Sequence, residues 1–255
     1  MTSNRSAAIA KSFGARAASY DDSAELQRRV AARLAALLPE FESLSVLELG
    51  CGTGLFSRKL IDRYPAGRFV LSDLAPAMLE QARANLAGLP NKQVQFALLD
   101  GNLPDLDRRF DLIATSMTLH WLSDPLAALK RLRSLLTPRG ALVYATISGT
   151  SFPEWRDVLA RENLPSGLID IPDLPGVVGE DCFVVDADTL SFLRRMQAIG
   201  GLTPKQGYVP LSPGALRRAI RQTDRLHGGR VTWHILYGRL SSEEANQSRP
   251  SIMPA

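Results

Sequence analysis

The most chemically specific spacing in the chain is the run Val46-Leu47-Glu48-Leu49-Gly50-Cys51-Gly52-Thr53-Gly54, in which an acid precedes three alternate glycines. Glycines allow a tight turn with positive φ and let a ligand approach backbone where a Cβ would collide. Dinucleotide-binding turns read Gly-x-Gly-x-x-Gly and phosphate loops end in Gly-Lys-Ser/Thr, and this run does neither. Glu48 discriminates further. A carboxylate so close to the loop repels a phosphate and attracts a cationic, methionyl-type ligand. Two more acids stand where a nucleoside could be read. Asp73, in Leu71-Ser72-Asp73-Leu74, can accept both ribose hydroxyls, and Asp100, in Asp100-Gly101, can receive an adenine amino group. Each aspartate taken alone also suits a helix cap or a turn. The three features together point to a nucleoside bearing a cation.

These residues need elements that bring them to one edge. Apolar runs predict strands at 45–49, 68–72, 93–99, 110–116 and 140–146, with helices at 24–38, 55–64, 76–86 and 125–136 between or before them. Strands alternating with helices at this spacing predict an α/β fold with a doubly wound, mostly parallel sheet. Glu48, Asp73, Asp100 and Ser116 then fall at the carboxyl ends of successive strands, where open α/β sheets bind ligands. Residues 1–44 are expected to form an N-terminal helical lid segment, and 45–150 the ligand-binding core. From 151 to 201 the rhythm breaks at Pro153, Pro165, Pro172 and Pro175, with one helix expected at 188–199. We read this stretch as a helical insertion covering the active site. Residues 202–240 are expected to complete the sheet, with strands at 206–211 and 231–240 around an arginine-rich helix. The polar tail 241–255 is expected to be disordered.

The bulk properties are those of a soluble enzyme. The 255 residues are 45% hydrophobic and 22% charged, enough for one large domain. No apolar run approaches the roughly 20 residues a membrane helix needs, and the opening residues predict no secretory leader. A cytoplasmic location is expected. Cys51 and Cys182 are too few for a disulfide framework, and no metal-ligand spacing occurs. The net charge of +4 is partly concentrated at Arg217, Arg218, Arg221 and Arg225. That cluster suits a solvated helix face or a docking surface for an acidic partner, either nucleic acid or an acidic carrier protein.

Residues 45–146 resemble the class I S-adenosylmethionine methyltransferases. Glu48, Gly50, Gly52 and Gly54 match their first motif, Asp73 their ribose-binding acid and Asp100 their adenine-contacting acid. The resemblance implies cofactor contacts from Cys51, Leu74 and Gly101 as well. Met78 would pack near the adenine, and Ser116 would sit at the strand end facing the reacting methyl. The strand-four loop reads Ser116-Met117-Thr118-Leu119-His120-Trp121, unlike the Asn/Asp-Pro-Pro-Tyr of many amino-group methyltransferases.

Three further stretches narrow the resemblance. These are Phe13-Gly14-Ala15-Arg16-Ala17-Ala18-Ser19-Tyr20-Asp21, then Leu119-His120-Trp121, and the run from Leu190 to Gly201. Together they resemble the malonyl-acyl-carrier-protein O-methyltransferases of biotin synthesis, the BioC family, over nearly the whole chain. That resemblance implies conversion of the free carboxylate of a malonyl thioester to its methyl ester, with S-adenosylmethionine as cofactor, no metal and an acyl-carrier protein as partner. A carboxylate is ionised at neutral pH and needs no general base. It does need a cation, and Arg194 is the first candidate, with Arg230 second. Tyr20 would close over the cofactor and substrate, and His120 and Trp121 would line the acyl pocket. The chain departs from the family at Gln197, where lysine is frequent, which puts a second cation on that helix in doubt. Three alternatives stand beside this reading. They are a carboxyl methyltransferase of a free polycarboxylic acid (aconitate-type), a methyltransferase-like assembly factor modifying protein arginine, and a non-catalytic cofactor-binding module.

Overall fold

A computed structural model describes residues 4–41, 44–89, 93–198, 204–205 and 207–242. Five strands form the parallel part of the sheet: β1 (Ser45–Leu49), β2 (Arg68–Asp73), β3 (Val94–Leu98), β4 (Phe110–Ser116) and β5 (Leu136–Ile147). Two more strands, β6 (Val177–Asp186) and β7 (Arg230–Ser241), complete a seven-stranded sheet of order β3-β2-β1-β4-β5-β7-β6. β7 runs antiparallel to both of its neighbours. The strand order reverses between β1 and β4, so the crevice of a doubly wound sheet opens above those two strands.

The helices are α1 (Asn4–Gly14), α2 (Glu25–Ala35), α3 (Leu55–Arg63), α4 (Pro76–Leu86), α5 (Pro125–Ser134), α6 (Pro153–Arg161), α7 (Thr189–Ala198) and α8 (Pro213–His227). Their starts follow local chemistry. Proline occupies the first turn of α4, α5, α6 and α8, where its missing N–H costs nothing. Asp124 caps α5 by accepting from the Ala127 N–H at 2.9 Å. The central strands are buried on both faces, with Leu47, Leu71, Phe110, Leu112, Ile113 and Leu142 almost wholly removed from water. Each such side chain contributes about 1.5–3 kcal/mol of burial free energy, which makes the central strands the rigid floor of the crevice.

Two elements differ from the sequence expectation. A strand is expected at 206–211; residues 207–211 form none, and the sheet is completed beside β7 by β6, inside the stretch read as a helical insertion. Gly207 adopts a left-handed φ of 77°, and Pro210 has no N–H to give a ladder. β6 escaped notice because it is an edge strand with alternate residues exposed and a Gly-Glu-Asp interruption. The described part of 151–201 therefore holds α6, a sheet strand and α7 rather than helix alone. At the N-terminus, α1 and a 3-10 helix spanning Ala17–Ser23 precede α2. Residues 199–201 and the 243–255 part of the tail lie outside the described residues.

Candidate active site

The glycine turn follows β1 directly, with Gly50, Gly52 and Gly54 at φ values of 72°, 54° and 92°. Gly50 lets the turn pass under Thr118, and nothing lies within 4 Å of a Cβ built on Gly52, so that backbone faces open space. Gly54 caps α3 in the left-handed conformation and packs against Leu86. Asp73, at the end of β2, ties the turn to its neighbour. Its Oδ2 accepts from the Gly52 N–H at 2.9 Å and its Oδ1 from the Ala75 N–H at 2.8 Å. Burial raises its pKa against the pull of those backbone donors.

A cavity of about 120 Å³ lies over this turn. It brings together Glu48, Gly50, Cys51, Gly52, Asp73, Leu74, Met78, Asp100, Gly101 and Ser116, all ten anticipated from the sequence, while Gly54 stays behind the wall. Glu48 is buried, with Oε2 accepting from the Ser57 hydroxyl at 2.5 Å and Oε1 without a partner among the described residues. Burial is the main cause that raises its pKa to about 8, helped by the Asp73 carboxylate. Asp100 accepts from the backbone and side-chain nitrogens of Asn102, both at 2.9 Å. Burial pushes the Cys51 thiol up, and the Glu48 and Asp73 charges push it further, so it is no nucleophile. The result is a pocket with an orphaned carboxylate oxygen, a second buried acid and an open glycine cradle. A cationic nucleoside fits it and a phosphate does not.

The N-terminal segment closes one side. Thr53 donates to Asp21 at 2.6 Å and Asn85 to the other Asp21 oxygen at 3.2 Å. Phe13 and Tyr20 pack on Met78, Ala75 and Ala17. Tyr20 is held protonated by burial first, then by Asp73 and Asp21.

A second cavity, of about 240 Å³, adjoins the first. Phe13, Tyr20, Gln27, Met117 and Trp121 line both. The far walls are aromatic and aliphatic, including Phe152, Phe192 and Trp233, whose rings meet at 4.6–6.0 Å. Two wall residues hold positive φ without being glycine, Met117 at 55° and Phe152 at 63°, which is strain of about 1–3 kcal/mol each at the site. His120 is buried against Thr146 at 3.0 Å, and burial lowers its pKa to about 3, so it is neutral here. Arg156 is the single charged side chain in the described lining.

Tyr20, His120 and Trp121 line the second cavity. Arg194 does not. On α7 the residues Phe192, Leu193 and Met196 face the cavity, which turns Arg194 to the exposed side of the helix. Arg230, the second candidate, is likewise exposed. Sequence reasoning passed over Gln27 and Arg156, each indistinguishable locally from any polar residue of an amphipathic helix. Among the described residues no cluster of His, Cys, Asp or Glu could hold a metal, and no helix is long and apolar enough to cross a membrane.

Known proteins resemble this chain in sequence and in fold. Residues 47–142 match the family model described as a methyltransferase domain. The chain is 37% identical over 251 residues to a malonyl-[acyl-carrier protein] O-methyltransferase of Magnetococcus marinus, covering 92% of each chain. It is 38% identical over 244 residues to a biotin biosynthesis bifunctional protein BioCD of Bordetella avium, of which it spans 51%. Among solved structures it resembles the N-methyltransferase NodS from Bradyrhizobium japonicum, in complex with S-adenosyl-L-homocysteine, at a TM-score of 0.53 and 16% identity, covering 92% of this chain and 99% of that one. The YcgJ protein of Bacillus subtilis aligns at a TM-score of 0.59 and 15% identity, over 84% of this chain and 97% of that one. Both likenesses concern the fold.

Proposed function

The chain belongs to the malonyl-[acyl-carrier protein] O-methyltransferase family, and from that membership we propose that it methylates the free carboxylate of a malonyl-acyl-carrier protein, an early step of biotin synthesis. The observation that carries the reading is the pair of joined cavities, an acidic one suited to a cationic nucleoside and an apolar one with a single cation. S-adenosylmethionine, when bound, supplies a methyl group on a positively charged sulfur. Glu48, the glycine turn, Asp73 and Asp100 would hold it, with Met78 beside the adenine and Ser116 near the reacting end.

The chain's own residues then have three tasks. Tyr20 and Trp121 stand at the shared wall, where they align the two ligands and keep water out. The apolar walls strengthen every charge interaction inside. No proton needs to move, since the carboxylate is ionised, and the site is consistent with that: Tyr20 stays protonated and His120, with a pKa of about 3, is a poor base. An aconitate-type tricarboxylate receives less support, because one cation in an aromatic cavity leaves two carboxylates unmatched.

Glu48 supplies a pH test. With its pKa near 8 in the ligand-free site, a cationic ligand must expel a proton from it at lower pH. Affinity for S-adenosylhomocysteine, measured by calorimetry, should therefore rise as pH increases from 6.5 toward 8. The ligand's own ammonium titrates in the same range, so Glu48→Gln is the control. A pH slope unchanged by that substitution removes Glu48 from the linkage.

The carrier protein would dock on α8. Arg217, Arg218, Arg221 and Arg225 are exposed there, and Leu216 of the same helix lines the acyl cavity. Arg218 also approaches Glu162 at 3.9 Å. Reversing two charges, Arg217→Glu with Arg221→Glu, should raise KM for malonyl-carrier protein about tenfold, at roughly 0.2–1 kcal/mol per exposed pair plus repulsion. KM for malonyl-pantetheine should not move, and added salt should erase the difference. An equal effect on both substrates would count against docking at this helix.

The decisive assay is transfer of labelled methyl to malonyl-carrier protein, with succinyl-carrier protein and free malonate as controls. Base-labile label on the malonyl thioester is expected. Label on free acids alone would move the function to small carboxylates.

A further inference from the structure

The second cavity is walled by aromatic and aliphatic side chains, yet a guanidinium sits in its lining. Arg156 lies in the first turns of α6, half-buried, and its Nε donates to the Ser151 carbonyl at 2.8 Å. Ser151 is itself tied to β7. Its hydroxyl donates to the His234 carbonyl at 2.9 Å and accepts from the His234 N–H at 3.0 Å. The plane of the guanidinium is thus set by the sheet, while its two Nη groups have no hydrogen-bond or ion-pair partner among the described residues.

The neighbouring acids are committed elsewhere. Glu154 accepts from the backbone and hydroxyl of Thr232, Asp157 pairs with Arg161 and His227, and Glu162 faces Arg218. No acid lines this cavity apart from groups belonging to the adjoining cofactor pocket. A partly desolvated, pre-oriented fork of donors with no counter-ion is matched by a planar anion, and a carboxylate fits it in shape and charge.

We infer that Arg156 forms the carboxylate-binding subsite of the acyl cavity, taking the role that sequence reading gave to Arg194; this rests on the malonyl reading above. The two Nη groups hold the carboxylate in their fork, and one of its oxygens keeps a lone pair free to meet the methyl. As the new O–C bond forms, the donor's S–C bond breaks and its electron pair stays on sulfur. The sulfonium and carboxylate charges both vanish, and no proton is transferred. The ester product no longer has a charge for Arg156 to hold. The subsite therefore selects the free acid over the methyl ester and favours product release.

Equilibrium binding in the presence of S-adenosylhomocysteine, which permits no turnover, tests this. Malonyl-pantetheine and its methyl ester are titrated calorimetrically into the wild-type protein and into Arg156→Met, Arg156→Lys and Arg194→Ala. The wild type should prefer the free acid by roughly 10- to 100-fold. Arg156→Met should bring the ratio to about one, Arg156→Lys should leave it intermediate, and Arg194→Ala should leave it unchanged. Affinity for S-adenosylhomocysteine should stay constant throughout. An unchanged ratio in Arg156→Met, or equal weakening of both thioesters, overturns the assignment. Should the Met variant fail to fold, the Lys variant decides: an ammonium cannot reproduce the fork, so an unaltered ratio there overturns it equally. The labelled-methyl assay on the wild type separates the two levels. An active enzyme with an unaltered ratio sinks Arg156 alone, whereas a wild type inactive on every malonyl thioester sinks the functional reading and this subsite with it.

Discussion

Asp73→Ala is expected to weaken binding of S-adenosylhomocysteine at least 100-fold while the protein remains folded. The Asp73 carboxylate does two jobs. Its oxygens already accept from Gly52 and Ala75, which holds the glycine turn against the start of α4. Each oxygen keeps a further lone pair, and the side chain lines the cavity, so ribose hydroxyls can be received there. Two charge-assisted hydrogen bonds at about 1.5–3 kcal/mol each account for the expected loss. The fold should survive because the turn lies above the sheet and the buried strands do not depend on it. Asp73→Asn, which retains a single acceptor, should fall between. Calorimetry measures the affinity and thermal unfolding checks the fold. Undiminished affinity in a folded Ala variant would remove Asp73 from the ligand contacts.

Gly50→Ala should damage both stability and binding, for a different reason. A Cβ there would stand 2.2 Å from the Thr118 hydroxyl and 2.6 Å from its methyl, on a backbone with φ of 72°. Both atoms belong to Thr118, whose loop carries Met117 and Trp121 to both cavities, so any yielding there disturbs those walls. Overpacking and left-handed strain together cost roughly 2–4 kcal/mol, or about 5–15 °C in Tm for a domain of this size. Gly52→Ala is the contrast. Its Cβ meets nothing within 4 Å, so only the left-handed strain at φ 54° remains, and Tm should fall less than in Gly50→Ala while the ligand's space is invaded. The steric account also predicts partial rescue of Gly50→Ala by Thr118→Gly, since the two sites are coupled. If Gly50→Ala and Gly52→Ala behaved alike in stability, the Thr118 clash would not be the cause.

The parallel half of the molecule was readable because its signals are local. β1, β2 and β4 are buried on both faces and read as apolar runs, each followed by a turn whose residues announce it. The acids and glycines that line the first cavity sit within three residues of the ends of β1, β2 and β3. Once the strands are parallel and adjacent, Glu48, Asp73, Asp100 and Ser116 have no choice but to converge.

The other half depended on the packing of elements distant in sequence. β6 is an exposed edge whose pattern is weak, and only pairing with β7 makes it a strand. Arg156 and Arg194 are both arginines on short amphipathic helices, and nothing local separates them. The difference is helix rotation. Val158 and Leu159 pack α6 against Ala219 of α8, with Arg156 on the cavity wall, whereas α7 turns Phe192 and Met196 inward and Arg194 outward. Gln27 likewise reached both cavities only when α2 settled beside the sheet. The sequence alone therefore determined the fold class, the glycine turn and its acids, because strand ends carry them in fixed order. Tertiary structure decided which side chains wall the second cavity, because that depends on how whole helices turn against a common core.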